Sequence, residues 1–262
     1  MKTARLTLVL PLLFLFRFAT AQYDTLHYMY SFASVGAGYD INIHPYANSI
    51  NSYGRPFWAN GGPTINVSGL IAFKQSYFGI PVMLGYSQAA FNVHDYASFQ
   101  ADTNPSPYKT YGSGNAGNYN IYYLLTGINL KIPAHTTRYT IELRALIGPV
   151  IATLPNIEFS YINPLSAAIV APAITTQITS KTIIALGFCP GISAGYKLTQ
   201  HFALMGNIDL IYAQLNFNPT ATTIGNGKET TRKIFMESDI SYLKISAGVA
   251  YTFGRMTPNI EY

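Results

Sequence analysis

Residues that could do chemistry are few in this chain of 262 residues, and they stand far apart. The five histidines are His27, His44, His94, His135 and His201. No two of them have the short spacing of a metal-ligand pair, so the sequence predicts no metal site. No nucleophile and base can be paired around His44 or around the dipeptide His94-Asp95. A solvated histidine is therefore the favoured interpretation of both.

Motifs for covalent catalysis and for cofactor binding lack the context they need in this sequence. The string G-x-S-x-G occurs at residues 191–195 inside an alternating segment, and G-x-G-x-x-G occurs at residues 112–117 in a connection rich in Gly and Asn. Neither lies on a turn from a strand into a helix, which a nucleophile elbow or a dinucleotide fingerprint requires, and there is no phosphate-binding loop. We therefore predict a non-enzymatic protein with no catalytic residue and no cofactor. The single cysteine, Cys189, excludes a disulfide framework, and we expect it to be a small buried residue.

Charged residues make up only 10% of the chain, against about 25% in ordinary globular proteins. The formal net charge is +5, but Lys2, Arg5 and Arg17 all precede Gln22, and no acidic residue does. The remainder has 13 basic and 11 acidic residues, a net charge of +2. This field is too weak to indicate a nucleic-acid partner.

The amino terminus has the three parts of a secretory signal peptide. Lys2 and Arg5 give a positive region, residues 6–16 are apolar, and Ala19-Thr20-Ala21 precedes Gln22 as a cleavage site. The apolar run is too short for a membrane helix, which needs about 20 residues. We therefore predict a signal peptide over residues 1–21, an exported domain over 22–253 and a short tail over 254–262.

The elements that position the charged and polar residues are β-strands, because apolar side chains recur with a period of two from Val35 onward. Near the end of the chain, for example, Leu243 and Ile245 alternate with Lys244 and Ser246. The segments that alternate in this way are 35–44, 64–74, 78–93, 119–132, 139–151, 182–197, 202–217 and 241–253. Most exceed the 9–11 or so residues that a tilted strand needs to cross a bilayer.

The connections between these segments alternate in length. Residues 75–77, 133–138 and 198–201 are short turns, whereas 45–63, 95–118, 155–181 and 218–236 are long and rich in Gly, Pro, Asn, Ser and Thr. If neighbouring strands pair as hairpins, all the long loops lie at one end. Short periplasmic turns and longer outside loops are typical of outer-membrane barrels.

The composition of the second face of the strands favours a membrane barrel over a soluble one. A water-facing exterior would be rich in Lys, Glu and Asp, whereas this face is mostly Gly, Ala, Ser, Thr and Asn and suits a narrow interior. Its charges have both signs, and buried charges are tolerable when they pair. We predict a charge network in the lumen formed by Asp40, Lys131, Glu142, Arg144, Asp209 and Lys244. A sealed plug is favoured over a narrow ion path because an eight-strand lumen is small.

Aromatic residues and prolines add two further predictions. The aromatic residues fall into two groups that predict belts at the membrane boundaries: Phe78, Tyr139, Tyr196, Phe202, Tyr251 and Phe253 at the short-turn end, and Tyr39, Phe91, Tyr119, Tyr122 and Tyr212 at the long-loop end. Pro81, Pro149 and Pro190 lie inside strands, where each removes a hydrogen-bond donor, so we expect bulges or irregular pairing there.

With these eight segments, the unequal connections and the closing Tyr251-Thr252-Phe253, the chain resembles the small eight-stranded outer-membrane barrels of the OmpA/OmpX-like and PorT-like group. The ATAQ junction at Ala19 resembles those of exported proteins of the Bacteroidetes type. The resemblance implies an all-β, up-and-down transmembrane barrel in the outer membrane of a Gram-negative cell. We expect a structural role or partner binding through the loops, with membrane lipid and lipopolysaccharide as partners and the outside loops or the periplasmic tail as the place for any protein partner.

Three other functions stay open for such a chain. Outer-membrane enzymes that modify lipids hold His, Ser and acidic residues near the long-loop end, where His44 and His94 lie. The second possibility is a narrow diffusion channel, and the third is a soluble barrel that carries a ligand. The basic cluster of Lys228, Arg232 and Lys233 in the last long loop could contact lipopolysaccharide phosphates, although a solvated cluster is the favoured interpretation.

Overall fold

The computed structural model describes residues 30–43, 59–73, 76–97, 110–132, 138–162, 174–199, 201–225 and 228–253. The predicted signal peptide and the predicted tail lie outside these ranges, as do His27, His44 and His135. No helix in the described ranges is both long enough and apolar enough to cross a membrane.

Eight antiparallel strands close into a barrel, as the eight alternating segments predict. The barrel strands are β1 (Phe32–Asn42), β2 (Gly62–Ala72), β3 (Phe78–Ala90), β5 (Asn118–Ile132), β6 (Tyr139–Leu154), β9 (Lys181–Lys197), β10 (Phe202–Phe217) and β13 (Met236–Thr252). Each pairs with its neighbour along the chain, and β1 pairs with β13 to close the sheet, with Val35 opposite Val249. A closed sheet leaves no barrel strand with an unpaired edge, which is the requirement for a sheet in hydrocarbon.

The outer surface of the barrel is apolar. Large aliphatic side chains point outward on every barrel strand, and Ile128 and Ile184 are 68% and 71% exposed. No outward-facing residue described in β1, β2, β3, β5, β6, β9 or β10 is charged. Because aliphatic side chains so exposed are unfavourable in water, this surface fits hydrocarbon and does not fit a soluble barrel.

Exposed aromatic residues bound this surface at its two ends. Tyr139, Phe202, Tyr251 and Phe253 are exposed at the end where β1 begins, here called the turn end; Tyr39, Tyr122 and Tyr212 are exposed at the opposite end, here called the loop end. Phe202 and Tyr212 are ten residues apart on β10, which for a tilted strand corresponds to a band about 25 Å tall. Phe91 and Tyr119, also predicted for a belt, are instead buried, because both point into the core at the loop end.

The three strand prolines interrupt pairing without a bulge. On one side of each strand, the hydrogen-bonded ladder skips the residues around the proline and resumes in the same register. The gap lies between Gly79 and Val82 of β3 for Pro81. It lies between Tyr123 and Thr126 of β5 opposite Pro149, and between Asp209 and Tyr212 of β10 opposite Pro190. On the other side each proline keeps its Cα partner. The irregular pairing that the prolines predict is present, and the missing N–H accounts for it.

Five short strands form a second sheet at the loop end, here called the loop sheet. They are β4 (Thr110–Ala116), β7 (Ile157–Ile162), β8 (Ile174–Ile178), β11 (Thr220–Gly225) and β12 (Lys228–Lys233), in the spatial order β12-β11-β8-β7-β4. One or two residues join each of them to a barrel strand. The sequence predicts these segments as loops, and strands in them are a finding of the structure.

Candidate functional site

A buried ion cluster lies at the centre of the barrel and is built on one carboxylate. Asp209 accepts two hydrogen bonds from Arg144, from Nε to Oδ1 at 2.8 Å and from Nη2 to Oδ2 at 2.7 Å. Lys244 Nζ lies 3.1 Å from Asp209 Oδ2, and the side chains of both residues are fully buried. One bidentate pair and one lysine thus share a single negative charge, which is the strong form of such contacts.

The register of three strands explains how Arg144 reaches Asp209. Gly191 on β9 is the Cα partner of Arg144 on β6 and of Asp209 on β10, so it separates the two. A Cβ atom at this position would overlap Asp209 Oδ1. The glycine therefore leaves the space through which the guanidinium meets the carboxylate. Lys244 comes from the other side, because it is the Cα partner of Asp209 across β10 and β13.

The three other residues predicted for the lumen network are buried at two different heights. Asp40 is the Cα partner of Lys244 across β1 and β13, which places it beside the central cluster on the loop-end side. Lys131 and Glu142 are Cα partners nearer the turn end, where Glu142 Oε2 accepts a hydrogen bond of 2.9 Å from Asn129 Nδ2. The six residues thus form a central group of four and a lower group of two.

Large apolar side chains fill the interior between the central cluster and the loop end. Lys244 Nζ contacts Met83 Sδ at 3.2 Å and Tyr123 Oη at 3.4 Å, where this core begins. It continues upward through side chains that are 0–1% exposed: Tyr119, Ile121, Ile211, Leu215 and Phe217. The expectation that the interior consists mostly of small residues and paired charges is therefore wrong for this half. On β5 the run from Tyr119 to Leu125 is mostly apolar on both faces, a signal that the sequence does contain.

A cleft of about 350 Å³ opens between the inner face of the loop sheet and the short helix at residues 93–97. Its floor is apolar and buried, with Ile178, Ala221 and Met236. Tyr96 and Phe159 form one wall, with their rings edge to face at 5.7 Å. The residues that complete the lining are Tyr161, Thr176, Thr223, Arg232, Lys233, Ile234 and Phe235.

The cleft has a cationic side and an aromatic side. Arg232 and Lys233 are exposed on β12, and Phe235 next to them is 62% exposed. Burial raises the pKa of the Tyr96 phenol to about 12, and the positive charge of Arg232 opposes that rise. Tyr161, whose pKa burial also raises, donates a hydrogen bond of 3.3 Å from its hydroxyl to the Ala97 carbonyl oxygen. A second hollow on the outer face of the loop sheet has Glu158 in its lining and no cationic residue.

The described histidines lie at opposite ends of the molecule. His94 is exposed in the helix beside the cleft, and His201 stacks on Tyr251 at the turn end with ring centroids 5.6 Å apart. Within the ranges that the structure describes, no three His, Cys, Asp or Glu residues stand close enough to hold a metal ion. Cys189 is fully buried, as predicted.

Comparison with known proteins gives structural likenesses only. No family model matches the chain, and no curated protein does either. A major outer membrane protein from Thermus thermophilus is similar over 86% of this chain and 100% of its own, with 12% identity and a TM-score of 0.45. The outer membrane protein OprG from Pseudomonas aeruginosa is similar over 87% of this chain and 98% of its own, with 9% identity and a TM-score of 0.49. Ail from Yersinia pestis is similar over 86% of this chain and 100% of its own, with 11% identity and a TM-score of 0.40.

The identity of the chain follows from its own geometry. Its strand backbone is sealed by closure, the described outer face is aliphatic and uncharged on seven of its eight strands, and the six charged residues predicted for the lumen are buried inside. Such a surface is stable against lipid and would aggregate in water. The chain is accordingly a small eight-stranded β-barrel of the cell outer membrane.

Proposed function

We propose that this barrel is a non-conducting, non-enzymatic protein that uses its loop sheet to bind a partner outside the cell. The observation that carries the proposal is the filled interior. At the barrel centre, Arg144 and Lys244 form ion pairs with Asp209. Between this cluster and the loop end, the interior is filled by the buried apolar core around Tyr119 and Phe217. Function then belongs to the part of the described chain that reaches beyond the membrane band.

The filled interior argues against a diffusion channel. An ion path needs polar groups that face a continuous column of water along the axis. Here the bonds of Arg144 and Lys244 to Asp209 use the central charges, and Ile211, Leu215 and Tyr119 occupy the axis above them. An ion crossing this region would have to be desolvated among apolar side chains, which is very costly.

The arrangement of the loop sheet supports a binding role. We assign the loop sheet to the outside of the cell, since outer-membrane barrels place their extended connections there. Its strands hold an open cleft on a buried floor, so a ligand would find a preformed site. The other partner in this proposal is the surrounding lipid, with lipopolysaccharide around the outer half of the band.

Planar-bilayer recording tests the proposal, with a porin inserted in the same bilayer as the positive control. Protein whose folded state is verified by heat-modifiable gel mobility is expected to give no discrete openings. Reproducible unitary openings in the folded fraction would refute the proposal.

A lipid-modifying activity is the second candidate, because His94 is exposed at the loop end. Mass spectrometry of lipid A from cells that express the wild type, His94→Ala or His44→Ala tests it. We expect the same lipid A profile in all three and in cells without the protein. A modified species that disappears in either variant would replace the binding role with an enzymatic one.

A further inference from the structure

The cleft of the loop sheet has an unusual combination of linings. The ring of Tyr161 lies on the β7 side, the ring of Phe235 and the guanidinium of Arg232 lie on the β12 side, and the paired strands β8 and β11 between them offer the hydroxyls of Thr176 and Thr223. The two threonine oxygens lie 3.3 Å apart, so they form a pair of donors and acceptors at one height of the wall. A suitable ligand must have apolar ring faces, hydroxyl groups and a negative charge.

We propose that this cleft binds an acidic saccharide, with a sugar ring against the aromatic side chains and its carboxylate on Arg232. The inference rests on the proposed binding function of the loop sheet and names the chemical class of the ligand.

The negative charge is indicated by the position of Arg232. Arg232 is the Cα partner of Ala221, whose side chain lies in the cleft floor, so the guanidinium stands on the cleft side of β12. Glu229 on the same strand is three residues away and therefore faces the opposite side of the sheet. Across the described part of the chain, no carboxylate lies within salt-bridge distance of Arg232. A planar guanidinium is matched best by a carboxylate, which it binds through two hydrogen bonds.

The sugar ring is indicated by the size and by the walls of the cleft. Its volume of about 350 Å³ is at the lower end of the range for small-molecule sites, about 300–1,000 Å³. A purely apolar ligand would leave the remaining hydrogen-bonding capacity of the Thr176 and Thr223 hydroxyls unused, at a cost in binding free energy. A bare anion would leave the exposed ring of Phe235 unused. A saccharide presents C–H faces to the rings and hydroxyls to the threonines at once.

The height of the cleft favours a saccharide over the phosphates of the lipid surface. Ala221 follows Tyr212 by nine residues, and Tyr212 marks the loop-end border of the apolar band. At about 3.3 Å per residue on a tilted path, the cleft floor extends from roughly 12 Å beyond that border at Met236, the Cα partner of Phe217, to roughly 20 Å at Ala221. At that distance a site meets the polysaccharide layer of a cell surface.

Isothermal titration calorimetry on the folded full-length protein in detergent tests the inference, with tetragalacturonate as the acidic probe and maltotetraose as the neutral one. The wild type is expected to bind the acidic tetrasaccharide at least tenfold more tightly than the neutral one. Arg232→Gln should reduce that affinity about tenfold or more, and Phe235→Ala should reduce it as well. Lys228→Gln is the matched control: it removes the same charge from the same strand, but Lys228 does not line the cleft.

Three results would overturn the inference: equal losses in Arg232→Gln and Lys228→Gln, equal binding of the two tetrasaccharides, or displacement of the acidic probe by inorganic phosphate at equal concentration. Heat-modifiable mobility confirms that each variant is folded. Bilayer recording on the same preparations separates the two proposals. A barrel that shows no channel openings and does not bind the acidic saccharide refutes only the proposed ligand. A barrel that conducts ions refutes the proposed function.

Discussion

Replacement of Asp209 by asparagine probes the ion cluster that closes the barrel. The variant keeps the shape of the side chain but leaves Arg144 and Lys244 buried without a negative charge between them. Two unit charges about 4 Å apart attract by about 4 kcal/mol at an effective dielectric constant of 20. Removal of one partner from a buried ion pair costs about 3–5 kcal/mol. Because Asp209 serves two cations, we expect the free energy of unfolding to fall by about 5 kcal/mol.

The assay is urea unfolding from lipid vesicles, with the folded fraction read from gel mobility without boiling. Glu229→Gln makes the same chemical change at an exposed position of β12 and should alter the free energy of unfolding by less than about 0.5 kcal/mol. Lys244→Met added to Asp209→Asn removes one of the two orphaned cations, and we expect it to restore about 2 kcal/mol. The reasoning is refuted if Asp209→Asn unfolds at the same urea concentration as Glu229→Gln.

Three more predictions follow from the same geometry. Gly191→Ala should lower the free energy of unfolding by about 1–3 kcal/mol, because the added Cβ overlaps the carboxylate of Asp209. Gly206→Ala is the control and should be neutral, because the atom nearest to its added Cβ is 4.0 Å away. Equal urea midpoints for the two variants would contradict this. Ile128→Arg in the middle of the apolar band should cost about 2–4 kcal/mol in vesicles and Gln214→Arg near the loop end about 0–1 kcal/mol, as measured by the same unfolding assay. The raised pKa of Tyr96 implies that its phenol stabilises the loop sheet fully below pH 10 and that this contribution is lost as the pH rises through about 12. Proteolysis of the loop sheet should therefore increase above about pH 10 in the wild type and increase less in Tyr96→Phe, in which Tyr161 still has a raised pKa; an equal increase in the two proteins would contradict this.

The barrel could be predicted from the sequence because hydrocarbon imposes the same requirement on every membrane-spanning strand. Each outward position must be apolar, so alternation such as Leu243, Lys244, Ile245 is read locally without knowledge of the partners. The loop sheet has no such rule. Its strands of five to seven residues are rich in Thr, Ser and Gly, a composition that loops share. The alternation of Ile157 and Phe159 with Glu158 was the available signal for one of them.

The two sites could be predicted only in part, because they depend on which residues meet. Six buried charges are visible as a set, but their division into a central and a lower group follows from strand register and from the gap at Gly191. The cleft depends on contacts between distant segments: Tyr96 meets Phe159, and both come near Arg232. Nothing in the local sequence of any of these segments specifies the others.

We conclude above all that the aliphatic outer face of the closed barrel lies against lipid. Nitroxide labels placed singly through Ile128→Cys, Ile208→Cys and Thr231→Cys, in a Cys189→Ala background and in vesicles, test it by collision with oxygen and with a water-soluble nickel chelate. We predict that oxygen dominates for the first two labels, which lie on the outer face, and that the nickel chelate dominates for the third, on the loop sheet. Dominance of the nickel chelate at positions 128 and 208 would show that this face meets water and would contradict the account.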